Sequence, residues 1–233
     1  MKKLVILTGA GMSSESGIRT FRDSGGLWEE YDVTEVATPE AWVKNRDLVL
    51  RFYNERRRQL AGCKPNEGHI GLAQLEKHFD VQIITQNIDD LHERAGSSKI
   101  LHLHGELTKA RSTADNTLIY DIGYKDINPG DKCVKGSQLR PHIVWFGEEV
   151  PMMNEAVTQA AEADIFVVIG SSLNVYPAAG LINYAPPGAA IWVIDPKDVS
   201  VPVNRKVEVI MEKASKGVAI LAERLFKLYP QKF

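Results

Sequence analysis

The sequence predicts an α/β fold: a Rossmann-like, doubly wound parallel sheet carrying an inserted small module. Three observations predict it. Short runs rich in valine and isoleucine alternate with stretches of helical periodicity, as strands buried on both faces of a parallel sheet require. The first run ends in Gly9-Ala10-Gly11, the kind of strand-to-helix loop that meets a dinucleotide. Between about residues 107 and 142 the pattern breaks into polar, turn-rich sequence ("STADN", "DINPGDK"), which reads as an inserted module with short antiparallel strands.

In chain order, the strand candidates are Leu4–Thr8, Val81–Thr85, Ile100–Leu103, Ile165–Ile169, Ile191–Ile194 and Val207–Met211. Each is short and ends in polar or glycine residues. Helices are expected over Asp47–Ala61, Glu67–Phe79, Pro151–Ala163 and Lys216–Tyr229; the last sets Val218, Leu221, Leu225 and Leu228 at helical spacing. The expected division is a single domain over 1–233, with a Rossmann-like core over about 1–26, 67–106 and 143–233, a helical insertion over about 27–66 and the small module over about 107–142. Ligands of such folds bind at the carboxyl ends of the strands.

Composition narrows the class. Hydrophobic residues make up 44%, charged residues 25% and the net charge is −2, so nothing draws the chain to nucleic acid or anionic lipid. The basic run Arg56-Arg57-Arg58 is the local exception, and Arg57 and Arg58 read as a solvated helix face. The N-terminal MKKLVILTG imitates a signal peptide, but its apolar run covers only Leu4 to Leu7, short of the roughly 7–15 residues a signal needs; a buried first strand fits better. No segment approaches membrane-spanning length. The two cysteines, Cys63 and Cys133, lie far apart in no paired pattern, which suits a reducing, cytoplasmic setting. A monomer is expected.

Four strand ends carry the chemistry. The first loop ends "LTGAGMSSESGIRTFR" and lacks the third glycine of G-x-G-x-x-G, since Ser14 stands there. It is either a phosphate-binding loop or a tight turn, and Arg22 is either a phosphate ligand or a surface partner of Asp23 or Glu29. "TQNIDD" sets Gln86, Asn87 and Asp89 at the second strand end, as ribose and amide ligands or as a capped turn. "HLHGE" sets His104 at the third. A neutral imidazole there is a natural general base, while His102, two residues earlier and deeper on the same face, reads as structural. "GSSLNVYP" follows the fourth, from Gly170 to Pro177. No third ligand at metal spacing accompanies the histidines.

"GAGMSSESGIRTFR", "TQNIDDLHERAG", "HLHGE", "LRPHIVWFGEEVP" and "GSSLNVYPAAG" occur in this order over nearly the whole chain. Together they make it closely resemble the sirtuins, NAD-dependent protein lysine deacylases, over about residues 3–229. The resemblance implies NAD, consumed as a substrate. It assigns the NAD site to Gly9, Ala10, Gly11, Phe21, Arg22, Gln86, Asn87, Asp89, Gly170, Ser171 and Ser172. Within that set, Asn87 and Asp89 act with the base His104, Asp89 on the nicotinamide carboxamide. Phe146, Gly147 and Glu148 on one segment (146–151) and Val175 on the other (172–177) would hold an acyl-lysine peptide as an added strand, with Val144 and Phe146 along the acyl tunnel. In the reaction so implied, nicotinamide leaves the ribose, the acyl oxygen attacks, and His104 takes a ribose hydroxyl proton. No protein nucleophile is needed.

Two departures stand out. Sirtuins hold a structural zinc with four cysteines, whereas the matching stretches here, "ARSTAD" and "DKCVKGSQLRP", offer Ser112, Asp115 and Cys133. One thiolate cannot build a Cys₄ site, so no zinc is expected. At the adenosine end the chain has Asp195 where family members often have asparagine; Asp195 could accept ribose hydroxyls. One further feature resembles the class III sirtuins: Tyr53 and Arg56, three apart on one helix face. Arg56 could pair with a succinyl or malonyl carboxylate and Tyr53 could add a hydrogen bond, unless Arg56 is simply exposed. Two other functions stay open: protein ADP-ribosylation on the same scaffold, and a non-catalytic NAD or ADP-ribose sensor.

Overall fold

A computed structural model describes residues 1–19, 31–199, 201 and 205–230. β1 (Lys3–Thr8) enters a 3-10 helix (Ala10–Ser16). Four helices follow from residue 33: α1 (Val33–Val36), α2 (Pro39–Lys44), α3 (Arg46–Gly62) and α4 (Glu67–Leu75). Then come β2 (Asp80–Thr85), α5 (Leu91–Ala95) and β3 (Ile100–His102). β4 (Gly105–Ser112), β5 (Ile119–Asp121) and β6 (Leu139–Ile143) form a separate small sheet. The chain closes with α6 (Met153–Ala161), β7 (Ile165–Ile169), a 3-10 helix (Ala178–Asn183), β8 (Ala190–Ile194), β9 (Val207–Ile210) and α7 (Ala214–Leu228).

The six-stranded sheet runs β3-β2-β1-β7-β8-β9, parallel throughout. Alternate residues face opposite sides. Leu4, Ile6, Ile83, Val167 and Ile194 pack on α4 and α7, while Val5, Leu7, Ile84, Val168 and Val193 face α6 and the second 3-10 helix. Burial on both faces explains why these strands read as unbroken apolar runs, each large side chain contributing roughly 1.5–3 kcal/mol. Strand order reverses between β1 and β7, so the crevice opens beyond Thr8 and Ile169. There the two loops touch backbone to backbone: the Gly11 N–H donates to the Gly170 carbonyl at 2.9 Å. Gly170 has φ +60°, and a Cβ on it would lie 2.4 Å from the Met12 nitrogen, so only glycine fits.

A third core joins the helices of 33–62 to the small sheet, with Trp42, Phe52, Tyr53, Leu107, Ile143 and Trp145 at its centre. Asn45 caps α3 through the Leu48 N–H, and Asn66 forms a capping box with His69 on α4. Within α3 the structure corrects the expectation for Arg57. It is fully buried, its Nε donating to the Leu107 carbonyl at 2.6 Å and its Nη1 to Asn54 Oδ1 at 2.7 Å. Arg57 therefore pins α3 to β4, whereas Arg58 lies outside in a two-bond pair with Asp126. The helix expected to reach Phe79 ends at Leu75, because the next turns tighten to three-residue bonds (Glu76 N–H to Ala73, Lys77 N–H to Gln74) while Phe79 still packs in the core. Among the described residues no helix is long and apolar enough to cross a membrane.

Candidate active site

The strand ends of the large sheet and the helix–small-sheet lobe enclose one cavity of about 630 Å³. Gly9, Ala10 and Gly11 line it after β1, Gln86, Asn87 and Asp89 after β2, His104 after β3, Gly170, Ser171 and Ser172 after β7, and Asp195 after β8. Tyr53 and Arg56 reach it from α3; Val144, Phe146, Gly147 and Glu148 line one rim and Val175 the other. Phe21 and Arg22 lie outside the described residues. The short loops and the close approach of Gly9 and Gly11 to Gly170 leave an open slot along the sheet end, a shape that accepts a dinucleotide. Gln86 Nε2 donates to Ser171 Oγ at 3.0 Å, tying the β2 and β7 loops together across it.

His104 lines the cavity half-buried. Its Nδ1 meets the Gln86 carbonyl at 3.0 Å, and a carbonyl only accepts, so Nδ1 carries the proton and Nε2 keeps a lone pair. Burial, partly offset by that hydrogen bond, lowers its pKa and keeps the ring neutral. Asp89 is 5% exposed; burial pushes its pKa up to about 6 despite bonds from Ser13 Oγ (2.9 Å) and the Leu91 N–H (3.2 Å). Asn87 donates through Nδ2 to the Gly9 carbonyl and to Ser13 Oγ.

Sequence reasoning missed the polar layer beneath these residues. Ser13, Thr8, Thr85, His69 and His92 are all buried. Ser13 hydroxyl gives its proton to Asp89, so it is no nucleophile; His69 Nε2 approaches it at 3.4 Å while His69 Nδ1 accepts the Asn66 N–H. His92 Nε2 meets Thr8 Oγ1, which bonds Thr85 Oγ1. The signal was in the sequence as Ser13 in "GAGMS" and His69 in "NEGH", but only the fold brings them together. Glu148 makes contacts that the sequence did not reveal. Although it lines the rim, its carboxylate accepts from Arg111, Arg140 and the Trp145 N–H, and the Arg140 guanidinium stacks on Trp145 at 3.3 Å. It anchors the rim to the small sheet.

At the expected zinc position the residues satisfy one another. Ser112 Oγ accepts the N–H groups of Ala114 and Asp115 and bonds Cys133; Asp115 accepts from Thr117 and from Lys135 Nζ at 2.7 Å. A hydroxyl, one thiol and a lysine-paired carboxylate do not fit a tetrahedral thiolate site.

A family model described as "Sir2 family" matches residues 9–177. The chain belongs to the Sir2 family. A relative from Bacteroides thetaiotaomicron called "NAD-dependent protein deacylase" is 56% identical, covering 97% of this chain and 98% of its own. One of the same name from Helicobacter pylori is 54% identical over 99% and 98%. A mutant Sir2 homologue solved with ADP-ribose superposes with TM-score 0.91 at 38% identity, covering 100% of this chain and 95% of its own. A Sir2 mutant with a deacetylated p53 peptide and 3′-O-acetyl ADP ribose gives 0.81 at 30% identity, over 97% and 93%.

Proposed function

We propose that this Sir2-family chain, an NAD-dependent protein deacylase, prefers acidic acyl groups on lysine, succinyl and malonyl above acetyl. One observation carries the preference. Arg56 lines the cavity with its Nε and Nη1 buried and, among the described residues, without a hydrogen-bond partner. Its guanidinium rests 5.2 Å from the Phe52 ring centre. Buried donors of a permanent cation call for an acceptor, and a dicarboxylic acyl chain brings one in fork geometry. Tyr53 stands one helical turn away with its hydroxyl accepting from Trp145 Nε1 at 3.0 Å, which leaves its own proton for the carboxylate. Burial raises the Tyr53 pKa, so the hydroxyl stays protonated.

NAD, when bound, supplies the electrophilic ribose carbon. The chain's residues do the rest. Gln86, Asn87 and Asp89 orient the ribose and carboxamide side of the cavity. The exposed Phe146 and Tyr176 rims clasp the peptide. His104 Nε2, lone pair outward, is the base. Mass spectrometry of a reaction with NAD and a succinyl-lysine peptide is expected to show free lysine, nicotinamide and O-succinyl-ADP-ribose together, and His104→Ala to lose them by about 10²–10⁴-fold. ADP-ribose appearing on protein with the acyl group intact would contradict the proposal.

A further inference from the structure

Two histidines leave β3 two residues apart and grip successive carbonyls of the β2 loop. His104 Nδ1 meets the Gln86 carbonyl at 3.0 Å and His102 Nδ1 meets the Asn87 carbonyl at 3.2 Å. Their other nitrogens differ. His104 Nε2 faces the cavity, whereas His102 Nε2 meets Glu93 Oε1 of α5 at 2.7 Å. The Asn87 carbonyl and the Glu93 carboxylate both only accept. The imidazole between them satisfies both only with a proton on each nitrogen.

We propose that His102 and Glu93 are a positioning couple for the deacylation reaction: the His102 imidazolium, held by Glu93, fixes the Asn87 peptide and so sets Asn87 and Asp89 against the substrate. His102 is the charged counterpart of His104, with the two imidazoles two residues apart held in opposite protonation states. The charged groups around His102 agree. Its side chain is only 9% exposed; burial pulls its pKa down, but the hydrogen bond and charge of Glu93, then the charge of Glu106 on β4 and the bond to Asn87, raise it overall. Glu93 is correspondingly lowered: burial raises it, but the bond and charge of His102, with smaller help from the backbone and Lys109, together outweigh burial. The cation also works against the upward shift of Asp89 in the loop and adds to the downward shift that burial gives His92 on α5. Lys109, paired with Glu106 at 2.7 Å, completes the set.

The pH profile separates positioning from mere support. As pH rises past the His102 pKa, the imidazolium loses one proton and becomes neutral. The remaining N–H stays on the charged Glu93 acceptor, the stronger partner, and the Asn87 carbonyl is released. Activity should then fall on the alkaline side, as His104 protonation limits it on the acid side. In Glu93→Gln the amide NH₂ can donate to a neutral Nε2, leaving Nδ1–H on Asn87. Deacylation kcat is measured from about pH 6 to about pH 9 on the acyl-lysine peptide the wild type turns over fastest, whichever acyl group that is. Each profile is normalised to its own maximum. We expect an alkaline fall in the wild type and its loss in Glu93→Gln. In His102→Phe we expect kcat down about 10–100-fold at every pH, with peptide KM unchanged because residue 102 is not among those that line the cavity. An alkaline fall identical in wild type and Glu93→Gln, no alkaline fall in the wild type, or wild-type kcat in His102→Phe would each overturn the proposal. Should His102→Phe not fold, the Glu93→Gln profile, which changes a part-exposed carboxylate, decides alone.

Discussion

Tyr53, which reaches the cavity from α3, ties the proposed acyl selectivity to a hydrogen bond made by a neighbouring side chain. Its hydroxyl accepts from Trp145 Nε1, and Trp145 is itself held by Arg140 stacked on its ring and by Glu148 on its backbone N–H. On the proposed reading, the indole donor leaves the tyrosine proton for the acyl carboxylate. Trp145→Phe keeps the apolar bulk and removes that donor. A neutral hydrogen bond is worth about 0.5–1.5 kcal/mol, so kcat/KM on a succinyl peptide should fall roughly 2–12-fold while that on the acetyl peptide stays within about twofold. Equal losses on both would show that Trp145 only packs. The same residues show what the sequence could and could not reveal. Tyr53 and Arg56 are legible as a pair because three-residue spacing puts them on one helix face whatever else the chain does. In the run Arg56-Arg57-Arg58, spacing alone could not say that the middle arginine turns inward to Leu107; that depends on β4, fifty residues on.

At the scale of elements, α4 and α5 carry a buried histidine pair, His69 and His92, with ring centres 4.8 Å apart. The strands and main helices were legible because each owes its signal to local periodicity and burial. This layer was not, because α4, α5 and the β1 loop are far apart in sequence and meet directly only in the folded chain. It has a measurable consequence. His69 Nδ1 accepts the Asn66 N–H, and burial lowers the His69 pKa to about 4. The unfolded chain takes its proton near 6.5, so between these values the unfolded state binds the extra proton. The stability His69 contributes is present above 6.5 and lost as pH falls towards 4, by about 3 kcal/mol. Asp89, raised to about 6, acts in the opposite sense, but it cancels when two proteins sharing it are compared. His69→Asn keeps an acceptor for Asn66 without a titrating ring. Urea denaturation should show the stability gap between wild type and His69→Asn shift in the variant's favour by about 3 kcal/mol from neutral pH to pH 4. A gap that does not change with pH would contradict this account.

Across the whole molecule, two lobes meet on one cavity: the parallel sheet lines the side where the proposed function puts NAD, and the lobe of α3 and the small sheet lines the side where it puts the acyl group. The small sheet is held by hydrogen bonds and an ion pair at the place where sirtuins carry zinc. Elemental analysis of the purified protein is expected to find no stoichiometric zinc, and chelators should leave its unfolding midpoint unchanged; one tightly held zinc per chain would contradict that. The division between lobes makes acyl choice separable from the NAD reaction. The most direct measurement of the central claim is kcat/KM on matched succinyl, malonyl and acetyl peptides, for the wild type and Arg56→Met. A charged hydrogen bond is worth roughly 1.5–3 kcal/mol, or about 10–150-fold. The wild type should favour the acidic peptides, and Arg56→Met should lose that preference by about this factor while deacetylation is kept or improved. Equal losses on all three peptides would show that Arg56 supports α3 or the NAD side instead, and would contradict the account.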